Sequence, residues 1–191
     1  DVDTHEALSV AEVQRLSRGD LMRIDMATIA RGIARLEAAE ASEPQLSIVV
    51  PVSYVTLSNI SGRYLLSDAF AHVRERVLKG VICEVRDVEG VPQGPLLSAV
   101  SLIKPRTLLT VGHIEDLTTQ ALHGLRDAGL NALSLSCPPG LDEADFVAWL
   151  RGTVAATKGV CKSVAVYGCE SPRRAAIAAL FGATHVSFAA P

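Results

Sequence analysis

The chain has 191 residues, of which 49% are hydrophobic and 20% charged, and its formal net charge is −3. This composition is typical of a globular protein, because disordered chains carry fewer apolar and more charged residues. A small negative charge without a Lys/Arg cluster argues against nucleic-acid binding. The apolar runs are shorter than the roughly 18–20 residues that a membrane-spanning helix needs, so we expect no membrane insertion.

The four cysteines indicate a reducing compartment. They occur in apolar segments and without the CxxC spacing of a zinc site, at Cys83, Cys137, Cys161 and Cys169. Disulfides are rare in the cytosol, where thiols are kept reduced. We therefore expect four buried free thiols in a cytoplasmic protein.

The first 45 residues have the periodicity of helices. One apolar stripe repeats at spacings of three and four residues, through Met22, Met26, Ile29, Ile33 and Leu36. Ser9 and Glu12 fit the capping box of an earlier helix over residues 10–16. The sequence therefore predicts helices within residues 1–40.

One pattern then repeats along the rest of the chain: an amphipathic segment, a glycine, and a short run rich in Val, Ile and Leu. Glycine is a common helix end because it adopts the left-handed conformation without a steric penalty. The apolar runs predict six strands, at residues 46–54, 81–88, 106–112, 130–136, 162–168 and 183–188. Apolar strands that alternate with helices are typical of a parallel sheet covered by those helices. We predict an α/β fold, with one domain over residues 1–191 and βα units over residues 46–188.

The strand ends hold the candidates for chemistry, because active sites of parallel α/β folds lie there. The commonest cofactor and hydrolase motifs (GxGxxG, the P-loop, GxSxG and HExxH) are absent, so no cofactor is predicted. Carboxylates and a histidine could converge to bind a divalent metal ion. This set contains Glu84, Asp87, His113, Glu115, Asp116 and Glu170. A simpler interpretation places Glu115, Asp116 and Glu170 at helix N-termini, where acidic side chains favour the helix dipole.

Glu84 is the residue that most needs an explanation, because it lies inside an apolar strand. A buried carboxylate is costly unless it is paired, so we expect Arg86 or a donor on a neighbouring strand to bind it. An enzymatic alternative combines Glu84 with His113 and with Cys137 or Cys169. That alternative requires an activated thiol or a bound metal ion.

The order of the segments resembles the EAL domain, the fold of bacterial cyclic-di-GMP phosphodiesterases. The helix "GDLMRIDMATIARGIARLE" and the strand "LSIVVPVS" resemble the family's first main helix and its "vNvS" strand. Further along, "VICEVRD" resembles "lEiTE", "RTLLTVGH" the strand that ends in an Asp-Asp pair, and "AGLNALSLS" the segment "lpvdylKID". Finally, "VAVYGCES" resembles "iAEGVET", and "FGATHVSF" the closing strand. The match covers about residues 15–188 and implies a TIM-barrel-like fold.

The resemblance also implies that most functional positions have changed. Three positions are retained, as Glu84, Gly168 and Glu170. The family's metal-binding Asn falls at Pro51, its Asp-Asp pair at Thr110-Val111, its Lys at Ser134, the first Glu of "AEGVE" at Tyr167, and the closing Gln-Gly at Ser187-Phe188. Metal-assisted hydrolysis needs several oxygen ligands, so we expect no metal site, no catalytic residue and no hydrolysis.

An inactive EAL-like domain of a bacterial signalling protein has two roles open to it. One is a protein-interaction or scaffold module, and the other is a receptor that binds cyclic-di-GMP without hydrolysing it. Binding of phosphates and guanines uses cationic donors and stacking groups, for which the candidates are Tyr54, Arg63, Arg86 and Tyr167. We favour the module, because the family's Arg after its first motif is missing.

Six strands cannot close an eight-stranded barrel. The name-giving Glu-Ala-Leu segment and its strand have no counterpart, since the tripeptide at residues 6–8 has no apolar strand around it. The open edges fall at residues 46–54 and 183–188, and an unpaired strand edge favours pairing with another chain. We therefore predict an incomplete barrel, completed by a protein partner, by a homodimer or by upstream strands of a longer polypeptide.

Overall fold

A computed structural model describes residues 15–115 and 117–188. In chain order its elements are α1 (Arg18–Ala39), β1 (Ile48–Ser53), α2 (Tyr54–Ser58), α3 (Ile60–Ala71), α4 (Glu75–Leu78), β2 (Val81–Arg86), α5 (Gln93–Ile103), a 3-10 turn (Lys104–Arg106), β3 (Leu109–His113), α6 (Thr119–Leu125), β4 (Ala132–Ser136), α7 (Glu143–Thr157), β5 (Ser163–Cys169), α8 (Pro172–Leu180) and β6 (His185–Phe188). The tripeptide at residues 6–8, the capping box of the helix predicted over residues 10–16, and Asp116 lie outside the described residues.

The six strands form one parallel sheet in which spatial order equals chain order, from β1 to β6. The sheet curls into a half-barrel with helices around it. Each predicted strand is present, and the predicted α/β class and incomplete barrel are confirmed. In the register of the sheet, Glu84 of β2 lies opposite Pro51 of β1 and Val111 of β3.

The two faces of the sheet differ in what covers them. Alternate strand residues belong to the hydrophobic core that packs under the helices, and these are Val50, Val52, Cys83, Val85, Leu133, Leu135, Val164 and Val166. The residues between them face the concave side of the half-barrel. On that side Val49 at the β1 edge is 40% exposed, whereas Glu84, Val111 and Ser134 further along the sheet are buried.

Helix α1 packs against the sheet through the predicted apolar stripe. Ile29, Ile33 and Leu36 are buried, and Met22 and Met26 are half-buried. The helix starts at Ser17, whose hydroxyl accepts a hydrogen bond of 3.2 Å from the Asp20 backbone N–H. The stripe predicted from the sequence is confirmed.

A buried carboxylate that the sequence interpretation overlooked joins α1 to the end of β1. Asp25 is 8% exposed, and its Oδ2 accepts hydrogen bonds from the Ser53 backbone N–H (3.0 Å) and the Thr56 hydroxyl (2.5 Å). Burial raises the pKa of Asp25, and the negative charge of Asp87 acts in the same direction. This contact fixes the start of α2 relative to α1.

All four cysteines are free and buried, as predicted. Burial raises the pKa of the Cys83 thiol to about 12 and that of Cys161 to about 11. Within the described ranges, no helix combines the length and the apolar character needed to cross a membrane.

Candidate functional site

The polar side chains of the concave face gather around one buried carboxylate, Glu84 of β2, which is 1% exposed. The Ser134 hydroxyl donates to its Oε1 over 2.8 Å, and Arg86 Nε donates to its Oε2 over 3.2 Å. Ser134 lies on β4, so the curvature of the sheet lets Glu84 reach past β3. The predicted pairing of Glu84 with Arg86 and with a donor on another strand is confirmed.

Two further side chains complete this group. His113 Nδ1 lies 3.1 Å from Ser134 Oγ and 3.9 Å from Glu84 Oε1. Burial lowers the pKa of His113, and the charge of Arg86 lowers it further while Glu84 opposes the shift. The imidazole is therefore neutral at pH 7. Because the Ser134 proton is directed to Glu84, His113 Nδ1 is the donor to Ser134 Oγ.

Tyr167 of β5 interacts with the same carboxylate and with Ser134. Burial, followed by the charge of Glu84, raises the pKa of Tyr167 to about 12, so the phenol keeps its proton and acts as a donor. We refer to Glu84, Arg86, His113, Ser134 and Tyr167 as the Glu84 cluster. In this cluster one carboxylate is satisfied by hydroxyl donors and a guanidinium.

The Glu84 cluster does not fit a divalent metal ion. In the part of the chain that the structure describes, no three His, Cys, Asp or Glu side chains come close enough together to hold one. Mg²⁺ needs near-octahedral oxygen coordination, whereas Glu84 is the single carboxylate of the cluster and already binds Arg86 and Ser134. Pro51, its neighbour on β1, has no side-chain ligand.

The other predicted acidic residues make local structural contacts. Glu170 Oε1 accepts a hydrogen bond of 2.8 Å from the Gly140 backbone N–H, and its Oε2 lies 2.9 Å from Arg174 Nη1. It therefore ties the β4–α7 loop to the start of α8. The Glu115 backbone N–H donates to Glu89 over 2.8 Å. Asp87 adopts a left-handed backbone, with φ of 58°, directly after β2.

Gly168, the remaining retained position, has a backbone conformation that favours glycine. Its φ is +70°, which residues with a side chain rarely adopt, and its N–H donates to Ser187 Oγ over 3.2 Å. It lies at a β-bulge where β5 has one residue more than β6 between paired positions.

The candidate ligand contacts separate into two groups. Arg86 and Tyr167 belong to the Glu84 cluster. Tyr54 packs against the hydrophobic core, and Arg63 donates to the Leu57 carbonyl (2.7 Å) and to Ser98 Oγ (3.5 Å), between α2, α3 and α5. Arg63 thus binds within the helical layer through two of its nitrogens.

The residues of the enzymatic alternative do not form one site. Glu84 and His113 lie on the concave face, whereas Cys137 and Cys169 belong to the core under the helices. Burial raises the pKa of both thiols, which disfavours the nucleophilic thiolate.

Strand β3 contributes its last residue to the Glu84 cluster, whereas Thr110 lies on the opposite face of the sheet. Thr110, matched to the family's Asp-Asp pair, is buried near the amino end of β3, with its Oγ1 3.4 Å from Thr107 Oγ1. The side chain that β3 contributes is His113, its last residue. His113 is one of the candidates that the predicted strand ends supplied.

Comparisons with known proteins identify similar structures but no similar sequence. No family model matches the sequence, and no curated protein matches it significantly. Similar solved structures include the PaMucR phosphodiesterase in complex with c-di-GMP, at a TM-score of 0.69 and 13% identity over 88% of this chain and 75% of that one. The chain has an EAL-like fold.

Two further solved structures of EAL domains have a fold similar to that of this chain. The FimX EAL domain matches at a TM-score of 0.66 and 16% identity, over 95% of this chain and 75% of that one. An EAL domain protein from Listeria monocytogenes matches at 0.64 and 11%, over 83% of this chain but only 63% of that one. The EAL-like chain described here therefore spans less than two thirds of the Listeria protein.

Loss of the Arg86 guanidinium tests the electrostatics of the cluster in this EAL-like fold. We expect Arg86→Ala to lower the free energy of unfolding by about 1–2 kcal/mol, because it removes a cation from a buried carboxylate while Arg86 itself is half-exposed and screened. In a Glu84→Gln background the same substitution should cost under about 0.5 kcal/mol. Urea unfolding at pH 7 measures both. Equal costs in the two backgrounds would contradict the ion pair, and Arg23→Ala at the exposed Asp20 pair is the control.

Proposed function

We propose that this chain is a non-hydrolysing EAL-like domain of a bacterial cytoplasmic signalling protein, acting as a protein-interaction or scaffold module. One observation carries the proposal. Glu84, the position at which the resemblance implies a metal ligand, is bonded within the protein to Arg86 and Ser134. Hydrolysis of a phosphodiester by metal-activated water requires oxygen ligands that the Glu84 cluster lacks.

The open side of the half-barrel supports a role in protein contacts. Among the described residues, strands β1 and β6 end the sheet, and apolar side chains are exposed on both, with Val49 at 40% and Phe188 at 47%. Unpaired strand edges with exposed apolar residues are surfaces on which another polypeptide can pair. A protein partner or a second copy of this chain would bury them.

A cyclic-di-GMP receptor without hydrolysis is the second candidate. The Arg86 side chain is 53% exposed beside Tyr167, and together they offer a cation and an aromatic ring. The PaMucR structure is a complex with this nucleotide. The same pair would have to contact the nucleotide here.

Calorimetric titration of cyclic-di-GMP into the whole chain, with Mg²⁺ or Mn²⁺ present, tests both candidates. We expect no heat of binding at ligand concentrations up to about 1 mM, which corresponds to roughly −4 kcal/mol. Chromatography of the incubated nucleotide should show no linear product, with the PaMucR phosphodiesterase as the positive control.

Two results would overturn parts of the proposal. Any metal-dependent product would mean that the domain hydrolyses the nucleotide. Binding tighter than about 10 μM without product would make it a receptor and reject the scaffold role. In that case Arg86→Ala should weaken binding at least about tenfold, because it removes a charge-assisted phosphate donor, whereas Arg63→Ala should not.

A further inference from the structure

Two cysteines occupy neighbouring strand ends under the helices. Cys137 directly follows β4, and Cys169 is the last residue of β5. The Cys137 backbone N–H donates to the Tyr167 carbonyl over 2.7 Å, which continues the parallel ladder beyond the paired residues Ser136 and Tyr167. Cys137 therefore lies beside Gly168, one residue before Cys169.

The β-bulge determines which way Cys169 points. Simple alternation along β5 would put Cys169 on the concave face with Tyr167. Between Val166 and Cys169, however, β5 has one residue more than β6 has between Val186 and Phe188, and Gly168 takes a positive φ. The extra residue returns Cys169 to the face of Val166, and Cys137 continues the alternation of Leu135 onto that same face.

The two thiols thus share one face of adjacent strands. Strands lie about 4.8 Å apart with a rise of about 3.3 Å per residue, so a diagonal pair has its Cα atoms about 6 Å apart. This separation lies within the range of about 4.4–6.8 Å found in disulfides.

We propose that Cys137 and Cys169 are a redox pair that forms an intramolecular disulfide when the protein meets a peroxide. Cys137 is 8% exposed and Cys169 is fully buried, so Cys137 is the thiol that the oxidant reaches. Its thiolate attacks one oxygen of hydrogen peroxide, the O–O bond breaks, and a sulfenic acid and hydroxide form. The Cys169 thiolate then attacks the sulfenic sulfur, the S–O bond breaks, and a second hydroxide leaves. Each hydroxide takes up the proton that one thiol released and becomes water. In total, two thiols and one hydrogen peroxide give one disulfide and two waters.

The loops that carry the pair are already held together. Glu170, next to Cys169, accepts the Gly140 backbone N–H of the loop that begins at Cys137. A bond between the two sulfurs would therefore join segments that are already in contact, in the folded protein, and would lock the rim of the half-barrel at β4 and β5.

The pH dependence of the reaction follows from the environment of the sulfurs. Burial raises the pKa of both thiols, and the nearby Arg174 guanidinium only partly offsets this effect. The thiolate fraction, and with it the initial rate, should rise about tenfold per pH unit between pH 7 and 8.5. Cys83 and Cys161 should stay reduced, because burial raises their pKa values to about 12 and about 11 and leaves little thiolate.

Native oxidation of the whole chain with hydrogen peroxide tests the pair. After quenching, free thiols are alkylated in denaturant, and the protein is digested and mapped by mass spectrometry. We expect a loss of two of the four thiols, one crosslinked peptide containing Cys137 and Cys169, and full reversal by dithiothreitol. Cys137→Ser should keep its remaining three thiols, and Cys161→Ser should still form the crosslink.

Other results would reject the proposal. Retention of all four thiols under conditions that oxidise free cysteine would show that the pair does not react. Crosslinks between molecules, or between other cysteines, would show that the thiols are not neighbours. The peptide map of the unsubstituted chain decides between these outcomes even if a serine variant fails to fold. The result does not depend on whether cyclic-di-GMP binds.

Discussion

Gly62→Ala should lower the free energy of unfolding by about 3 kcal/mol, the upper part of the range for inserting a methyl group into a packed site. Gly62 lies in the first turn of α3, where this helix crosses the preceding α2. A Cβ atom placed there would be 2.2 Å from the Thr56 carbonyl oxygen and 3.0 Å from its carbonyl carbon. These are backbone atoms, so no side-chain rotation relieves the clash and the two helices must separate.

Gly152→Ala is the matched control for this substitution. Gly152 lies inside α7, and nothing approaches within 4 Å of an added Cβ. The same chemical change should therefore stabilise the protein by about 0.5–1 kcal/mol, through helix propensity and the unfolded chain. Urea unfolding with an unchanged m-value measures both variants. Shifts of equal sign and size would contradict the packing of α2 against α3.

Asp25→Ala should cost about 3 kcal/mol, because it leaves two buried donors without an acceptor. These donors are the Ser53 backbone N–H and the Thr56 hydroxyl. Asp25→Asn keeps one oxygen in place, so it should cost less than half as much. Glu37→Ala on the exposed face of the same helix is the control, and should change stability by no more than about 0.5 kcal/mol. Equal costs for Asp25→Ala and Asp25→Asn would contradict the role of the oxygen.

The same carboxyl group gives stability a definite pH dependence. The pKa of Asp25 is raised in the folded protein, so its contribution is fully present below the pKa of the unfolded chain and is lost as pH rises through the folded value. The stability of the unsubstituted chain relative to Asp25→Asn should therefore fall from pH 4 to pH 7. Denaturant unfolding at the two pH values measures the difference, and a rise with pH would contradict the assignment.

Local signals in the sequence were sufficient for most of the fold. The glycines after amphipathic segments marked the helix ends, and the apolar runs marked six strands, because both depend on neighbouring residues. The partners of Glu84 were also predictable, since a carboxylate inside an apolar strand needs donors and Arg86 stands two residues away.

Asp25 shows where local reasoning stops. It lies three residues after Met22 and four before Ile29, so it falls on the apolar stripe of α1, and this position was a usable signal that it is buried. Its partners were not visible, because Ser53 is 28 residues away in the chain and meets it only after α1 packs on the sheet.

The face of Cys169 depends on a single extra residue. Strand alternation assigns it to the concave side, and only the bulge at Gly168 moves it under the helices. Gly168 was noted as a retained family position, but glycine alone does not tell a bulge from a turn. His113 of β3 was visible only as a polar residue at a predicted strand end, because a single sequence shows that such a side chain is present but not which side chains of the neighbouring strands it meets.

The strand order of the sheet has a consequence for how the protein folds. Every strand is hydrogen-bonded to its neighbours in sequence, so each new βα unit can add to the edge left by the one before it. Each pairing then closes only a short loop and loses little conformational entropy. This favours folding by addition of successive units along the chain over pairing of strands that are distant in sequence. Each end strand is hydrogen-bonded to one neighbour only, so a unit lost from either end would remove a single strand pairing and leave the other pairings of the sheet in place.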